Sequence, residues 1–126
     1  MTSHSILIVD DESNQRLMVE QALRALAYDW QISTAASGQE ALEALALAIP
    51  DLIITDYHMP AMNGLELIKS VRARQITSRI ILMTAYSSPE LHAEACRLQV
   101  DHYLTKPVAL SDLRRLTTAA LESYAA

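Results

Sequence analysis

The chain has 126 residues, enough for one domain with one core, and 51% of them are apolar, so that core can form without disulfide or metal staples. Fifteen acids against ten bases leave a formal charge of −5, which argues against sequence-independent or other direct nucleic-acid binding. A single cysteine, an N-terminus without a basic-then-apolar signal, and no apolar run of membrane-spanning length lead us to expect a cytoplasmic protein without membrane contact.

Residues 5–9 are an apolar run ending in three acids, Asp10, Asp11 and Glu12. From 13 to 27, Met18, Ala22 and Ala25, with Val19, Leu23 and Leu26 beside them, recur at helical intervals. Trp30, Ile32 and Thr34 alternate with Gln31 and Ser33, predicting a strand with one wet face at a sheet edge. Ser37 followed by Glu40 reads as a capping box ahead of an Ala/Leu-rich helix that reaches Ile49 and stops at Pro50.

Leu52 to Thr55 suit a buried strand that runs into Asp56, and a loop punctuated by Pro60 and Gly64 follows. Such a loop sets a carboxylate at the mouth of a sheet, although an aspartate there also serves as an ordinary turn residue. Residues 65–73 read as a helix, and Ile80 to Met83 as a strand buried on both faces and ended by Thr84. Ser88 as N-cap with Pro89 at the first helical position opens a helix through Leu98. Residues 102–105 form a short, partly polar strand suited to the opposite edge. Lys106-Pro107 follows, and a last helix from Leu110 turns Leu113, Leu116, Ala120 and Leu121 inward. Cys96 and the methionines are expected to pack as small hydrophobes and gap fillers.

Five alternations of strand and helix predict an α/β, doubly wound (βα)5 sandwich of flavodoxin-like topology, one domain spanning 1–126. With the second and fifth strands at the edges, the parallel sheet has the order 2-1-3-4-5. Its ligand crevice lies at the carboxyl ends of the first and third strands. Those ends carry Asp10, Asp11 and Asp56, and the neighbouring strands end in Thr84 and Lys106. Clustered carboxylates repel one another unless a hard cation sits among them. Mg²⁺ suits the set, since it takes oxygen ligands at ~2.0–2.1 Å and accepts one or two carboxylates with phosphate oxygens. Lys106 and Thr84 then offer a cation and a donor for the remaining phosphoryl oxygens, and Asp56 is positioned to attack phosphorus in line.

The motifs Val9-Asp10-Asp11-Glu12, Asp56 with Met59-Pro60 and Met62-Asn63-Gly64, Thr84-Ala85, and Tyr103-Leu104-Thr105-Lys106-Pro107 stand in order at the ends of the expected strands. On them the chain resembles a CheY-like receiver domain of a two-component response regulator. The resemblance implies that Asp56 accepts a phosphoryl group from a histidine kinase or a histidine phosphotransfer protein. It implies Mg²⁺ held by Asp10, Asp11, Asp56 and the backbone carbonyl of His58, with Thr84 and Lys106 on the phosphoryl oxygens. Thr84 and Tyr103 would form a switch that changes the face of the fourth helix, fifth strand and fifth helix for a downstream effector, or for a second copy of the chain. His58 and Tyr86 occupy positions that tune phosphoryl lifetime in similar domains, and the bond before Pro107 is cis in them.

Two departures stand out. Gln99-Val100 replaces the usual Gly-Ala, and Val108 replaces the usual aromatic. Other readings of the same residues are a phosphorylation-independent docking module and a Mg²⁺-dependent aspartyl phosphohydrolase. The latter wants a second carboxylate where His58 stands. A flavin-binding domain of this topology would be repelled at its phosphate by Asp10-Asp11-Glu12.

Overall fold

A computed structural model describes residues 3–122 and shows five strands, each followed by a helix. In chain order these are β1 (Ser5–Val9), α1 (Ser13–Arg24), β2 (Gln31–Ala35), α2 (Gly38–Leu47), β3 (Leu52–Asp56), α3 (Gly64–Ala73), β4 (Arg79–Thr84), α4 (Pro89–Arg97), β5 (His102–Thr105) and α5 (Leu110–Glu122). All strand pairs are parallel and the order is β2-β1-β3-β4-β5, as the wet second and fifth strands predicted.

Alternate residues of each central strand feed opposite layers. Leu7, Val9, Ile53, Ile80 and Leu82 pack with Leu42 and Leu45 of α2, Leu67, Ile68 and Val71 of α3, and Ala95 of α4. Ile6, Ile8, Leu52, Ile54, Ile81 and Met83 pack with Val19 and Leu23 of α1 and Leu113, Ala120 and Leu121 of α5. A fully buried Leu or Ile of this kind contributes about 1.5–3 kcal/mol relative to an exposed one. The register sets Val9 beside Thr55 and Asp56 beside Met83, so the carboxyl ends of β1, β3 and β4 lie at one rim.

Several element ends differ from the sequence reading. α1 stops at Arg24 rather than residue 27, because the Leu26 N–H bonds to Leu23 O and the last turn tightens. α2 stops at Leu47, two residues before Ile49. Ala48 is already extended at φ −156°, ahead of Pro50, which restricts its own predecessor. Ser37 Oγ accepts the Glu40 N–H, but the Glu40 carboxylate reaches back to the Ala36 N–H, so the box there is not reciprocal. The complete capping box is on α3, where Asn63 Oδ1 accepts the Glu66 N–H at 2.8 Å and Glu66 Oε1 accepts the Asn63 N–H at 2.9 Å. Ser88 caps α4 with Pro89 behind it, as expected.

Gln99 does adopt the left-handed conformation, with φ 61°. Its turn is clasped by Arg72 of α3, whose guanidinium donates to Leu98 O at 2.8 Å and Gln99 O at 3.0 Å, and to Ile76 O and Ser78 O on its own side. The Lys106-Pro107 bond is cis. Cys96 is exposed rather than packed, with Sγ 3.9 Å from His92 Nε2, because position 96 falls on the outer side of α4 while Leu91 and Ala95 face inward. Met59 and Met83 are buried, whereas Met18 is half exposed.

Candidate functional site

Asp10 lies just beyond β1 and is held from three sides. Its N–H donates to Ala35 O, its carbonyl accepts from Arg16 Nη1 at 2.7 Å, and its Oδ1 accepts the Glu12 N–H at 2.9 Å. Its other oxygen, Oδ2, is buried without a hydrogen-bond partner. Burial first, and then the charges of Asp56 and Asp11, push the Asp10 carboxyl above its ordinary range. The Glu12 N–H and Lys106 oppose that rise. Asp11 is exposed beside it, and Asp56, the last residue of β3, is only 4% exposed.

One oxygen from each of Asp10, Asp11 and Asp56 lies within 4.8 Å of the others. An orphaned buried carboxylate oxygen within such a trio is a mismatch that a cation relieves, and an all-oxygen donor set suits Mg²⁺ or a similarly hard divalent ion. The residues therefore fit the metal the sequence suggested.

Lys106 is positioned by the sheet, its N–H donating to Thr84 O at 2.7 Å. Its ammonium lies 2.6 Å from Asp56 Oδ1. That oxygen has no aligned hydrogen bond, so the contact is Coulombic. Gln15 Oε1, on the first turn of α1, accepts from the same Nζ at 2.9 Å.

Thr84 is fully buried at the end of β4, its hydroxyl accepting the Tyr86 N–H at 3.1 Å and donating to Tyr86 O at 3.3 Å. Three of the expected groups, Asp10, Asp56 and Lys106, thus form one charged cluster with Asp11 at its edge. Thr84 sits on the adjoining strand end, turned toward the β4–α4 loop.

The loop after Asp56 approaches closely at one point. A Cβ on Gly64 would stand 2.3 Å from Asp56 O, so only glycine lets α3 begin there. On the same loop His58 makes edge contacts with Tyr57 at 4.8 Å and with Tyr86 at 5.2 Å, ring centre to ring centre. Tyr86 itself is 75% exposed. His58 and Tyr86 are exposed, whereas Tyr57 is partly buried against the α2–α3–α4 layer.

Tyr103 is apart from the cluster. It lies on β5 opposite Leu82, packs against the α2–α3–α4 layer, contacts the His92 ring at 4.9 Å, and donates its hydroxyl to Ser87 Oγ at 3.0 Å. Two residues went unnoticed in the sequence. Arg16 and Gln15 contact Asp10 and Lys106, and Gln15 lies 91 positions from its partner, beyond any local spacing rule.

The response regulator receiver domain family matches residues 6–118 of the chain. The regulatory protein AtoC of Escherichia coli is 36% identical over 117 residues, which cover 93% of this chain and 25% of that protein. Sporulation initiation phosphotransferase F of Bacillus subtilis is 31% identical over 114 residues, 90% of each. Among solved structures, chemotaxis protein CheY4 of Vibrio cholerae superposes with TM-score 0.85 at 32% identity, covering 94% of this chain and 99% of that one. The Francisella response regulator 1452 receiver domain superposes with TM-score 0.88 at 25% identity, covering 96% and 98%. The chain spans about a quarter of the length of the first curated relatives it matches.

Proposed function

Because the chain belongs to the family of response regulator receiver domains, we propose that it is a phosphoacceptor in two-component signal transduction, residues 1–126 forming one receiver domain and Asp56 carrying the phosphoryl group. The observation that carries this reading is the Lys106 ammonium 2.6 Å from Asp56 Oδ1, beside two further carboxylates, Asp10 and Asp11, just beyond the end of β1. A lone salt bridge needs no such crowd of acids, whereas a phosphoryl site with a divalent ion does.

The donor is a phosphohistidine on a sensor kinase or a histidine phosphotransfer protein. A carboxylate oxygen of Asp56 forms the new bond to phosphorus as the bond from phosphorus to the imidazole nitrogen breaks, and the imidazole leaves with its electron pair. Lys106, held on Gln15 and on the backbone of β4, offsets charge on the transferring group. Asp10, Asp11 and Asp56, with the backbone carbonyl of His58, would hold Mg²⁺, which would supply further neutralisation of the phosphoryl oxygens.

Signalling follows from the Thr84 hydroxyl. In the present state it is engaged with the Tyr86 backbone, and a phosphoryl oxygen on Asp56 competes for it. Drawing Thr84 inward moves the β4–α4 loop. That loop also carries Ser87, the acceptor of the Tyr103 hydroxyl, so the loop links the site to the face of α4, β5 and α5. A downstream effector, or a second copy of the chain, reads that face.

The family's domains are signalling modules rather than enzymes acting on external substrates. The hydrolase reading is disfavoured by His58, which stands where a second carboxylate is wanted. No helix among the described residues is long and apolar enough to cross a membrane, and we place the protein in the cytoplasm.

The test is intact mass after incubation with acetyl phosphate, with and without Mg²⁺. A Mg²⁺-dependent gain of one phosphoryl group, absent in Asp56→Ala, is the expected result. No adduct under conditions that label a known receiver would favour the docking module instead.

A further inference from the structure

We propose that Gln15 is a positioning residue for the phosphorylation of Asp56, acting by holding the Lys106 ammonium in register with the Asp56 carboxylate. The inference rests on the receiver reading and adds to it a group contributed by α1.

A lysine ammonium carries three donors on a flexible four-carbon stem, and an ion pair by itself fixes distance better than direction. In this chain direction has a second anchor. Gln15 Oε1 accepts from Lys106 Nζ at 2.9 Å while the same nitrogen lies 2.6 Å from Asp56 Oδ1. The Gln15 amide is in turn oriented by a long contact from Nε2 to Glu12 Oε2 at 3.4 Å. Glu12 is tied to Asp10 through its N–H. One chain of contacts therefore runs from the acidic loop through Gln15 to Lys106.

Packing makes the anchor consequential. Gln15 and Lys106 border a cavity of about 230 Å³ between α1 and α5, lined by Met18, Val19, Val108 and Leu113 among others. Open space beside the lysine stem leaves room for other rotamers, so packing alone does not hold Nζ in place. A neutral acceptor also suits the task better than an acid. An amide oxygen takes one donor without competing for the positive charge, whereas a carboxylate at position 15 would draw Lys106 from Asp56.

The experiment is a double-substitution cycle read by the rate constant of phosphorylation with acetyl phosphate at saturating Mg²⁺, using Gln15→Met in the parent and in a Lys106→Met background. Methionine keeps length and helix propensity and removes the acceptor. The expected result is a fall of about tenfold in the parent, on the scale of one hydrogen bond to a charged group, and no further fall in Lys106→Met. Gln15→Glu is expected to be slower than Gln15→Met, while Mg²⁺ affinity by calorimetry stays within about twofold for Gln15→Met. Equal slowing in both backgrounds, or none in the parent, would overturn the role of Gln15 while leaving the receiver reading intact. Failure of the parent itself to take up phosphoryl would overturn the receiver reading and this inference with it.

Discussion

Lys106 Nζ and Asp56 Oδ1 lie 2.6 Å apart, yet this cation faces a cluster of three carboxylates. The imbalance makes the site unfavourable in the metal-free fold, and most of the testable behaviour of the protein follows from it.

The raised Asp10 carboxyl gives the first test. Folding strengthens its hold on a proton, so ionised Asp10 opposes folding at neutral pH. That opposition fades as the pH falls through the raised value toward the ordinary 3.8. Asp10→Asn keeps an oxygen for the Glu12 N–H and removes the charge. In EDTA at pH 7 it should raise Tm by a few degrees, about 3–6 °C, with the gain shrinking in scans toward pH 4. A lower Tm at pH 7 would contradict the crowding argument.

Metal should act on the same imbalance from outside. Mg²⁺ at about ten times its Kd stabilises by about 1.4 kcal/mol through linkage, and EDTA should reverse the rise. The Tm increase should be largely lost in Asp10→Asn and Asp56→Asn. An unchanged increase in both would place the metal elsewhere.

The two glycines separate rigid from yielding contacts. A Cβ at Gly64 would meet the Asp56 carbonyl oxygen at 2.3 Å, whereas one at Gly38 would meet the Met62 side chain, Sδ at 2.6 Å. Backbone cannot step aside and a thioether can. Gly64→Ala should therefore destabilise by roughly 3 kcal/mol or more, and Gly38→Ala by about 1 kcal/mol or less. Urea titration of the pair decides it, and equal losses would be the contrary result.

Gln99 holds φ 61° at the end of α4 without being glycine. Gln99→Gly removes the Cβ conflict and keeps the carbonyl that Arg72 binds. We expect about 1 kcal/mol of added stability, seen as a higher urea midpoint with unchanged slope.

Tyr86 and His58, both exposed, meet edge to face two residues beyond Thr84 and Asp56. Our hypothesis is that the Tyr86 ring hinders the approach of a hydrolytic water to a phosphoryl group on Asp56. Tyr86→Ala should speed loss of phosphoryl from Asp56 by several-fold, on the order of 1 kcal/mol of barrier. His58→Ala should give a smaller change in the same direction. Loss measured by timed intact mass at an equal or slower rate in Tyr86→Ala would refute the idea.

Much of this protein is written in local patterns. Alternating strand and helix periodicities, wet second and fifth strands, and acids, a threonine and a lysine at strand ends determine the sheet order and the rim where these groups meet. Each follows from a side chain's immediate neighbours in the chain and from the handedness of parallel crossovers. The capping box of Asn63 and Glu66 is equally local, a cap residue and its partner three positions apart. Tertiary structure alone decided the rest. Gln15 meets Lys106 across 91 positions, and Arg72 clasps the carbonyls that make a left-handed Gln99 tolerable. These depend on how far one helix lies from another and at what rotation, and no spacing within a single element encodes either.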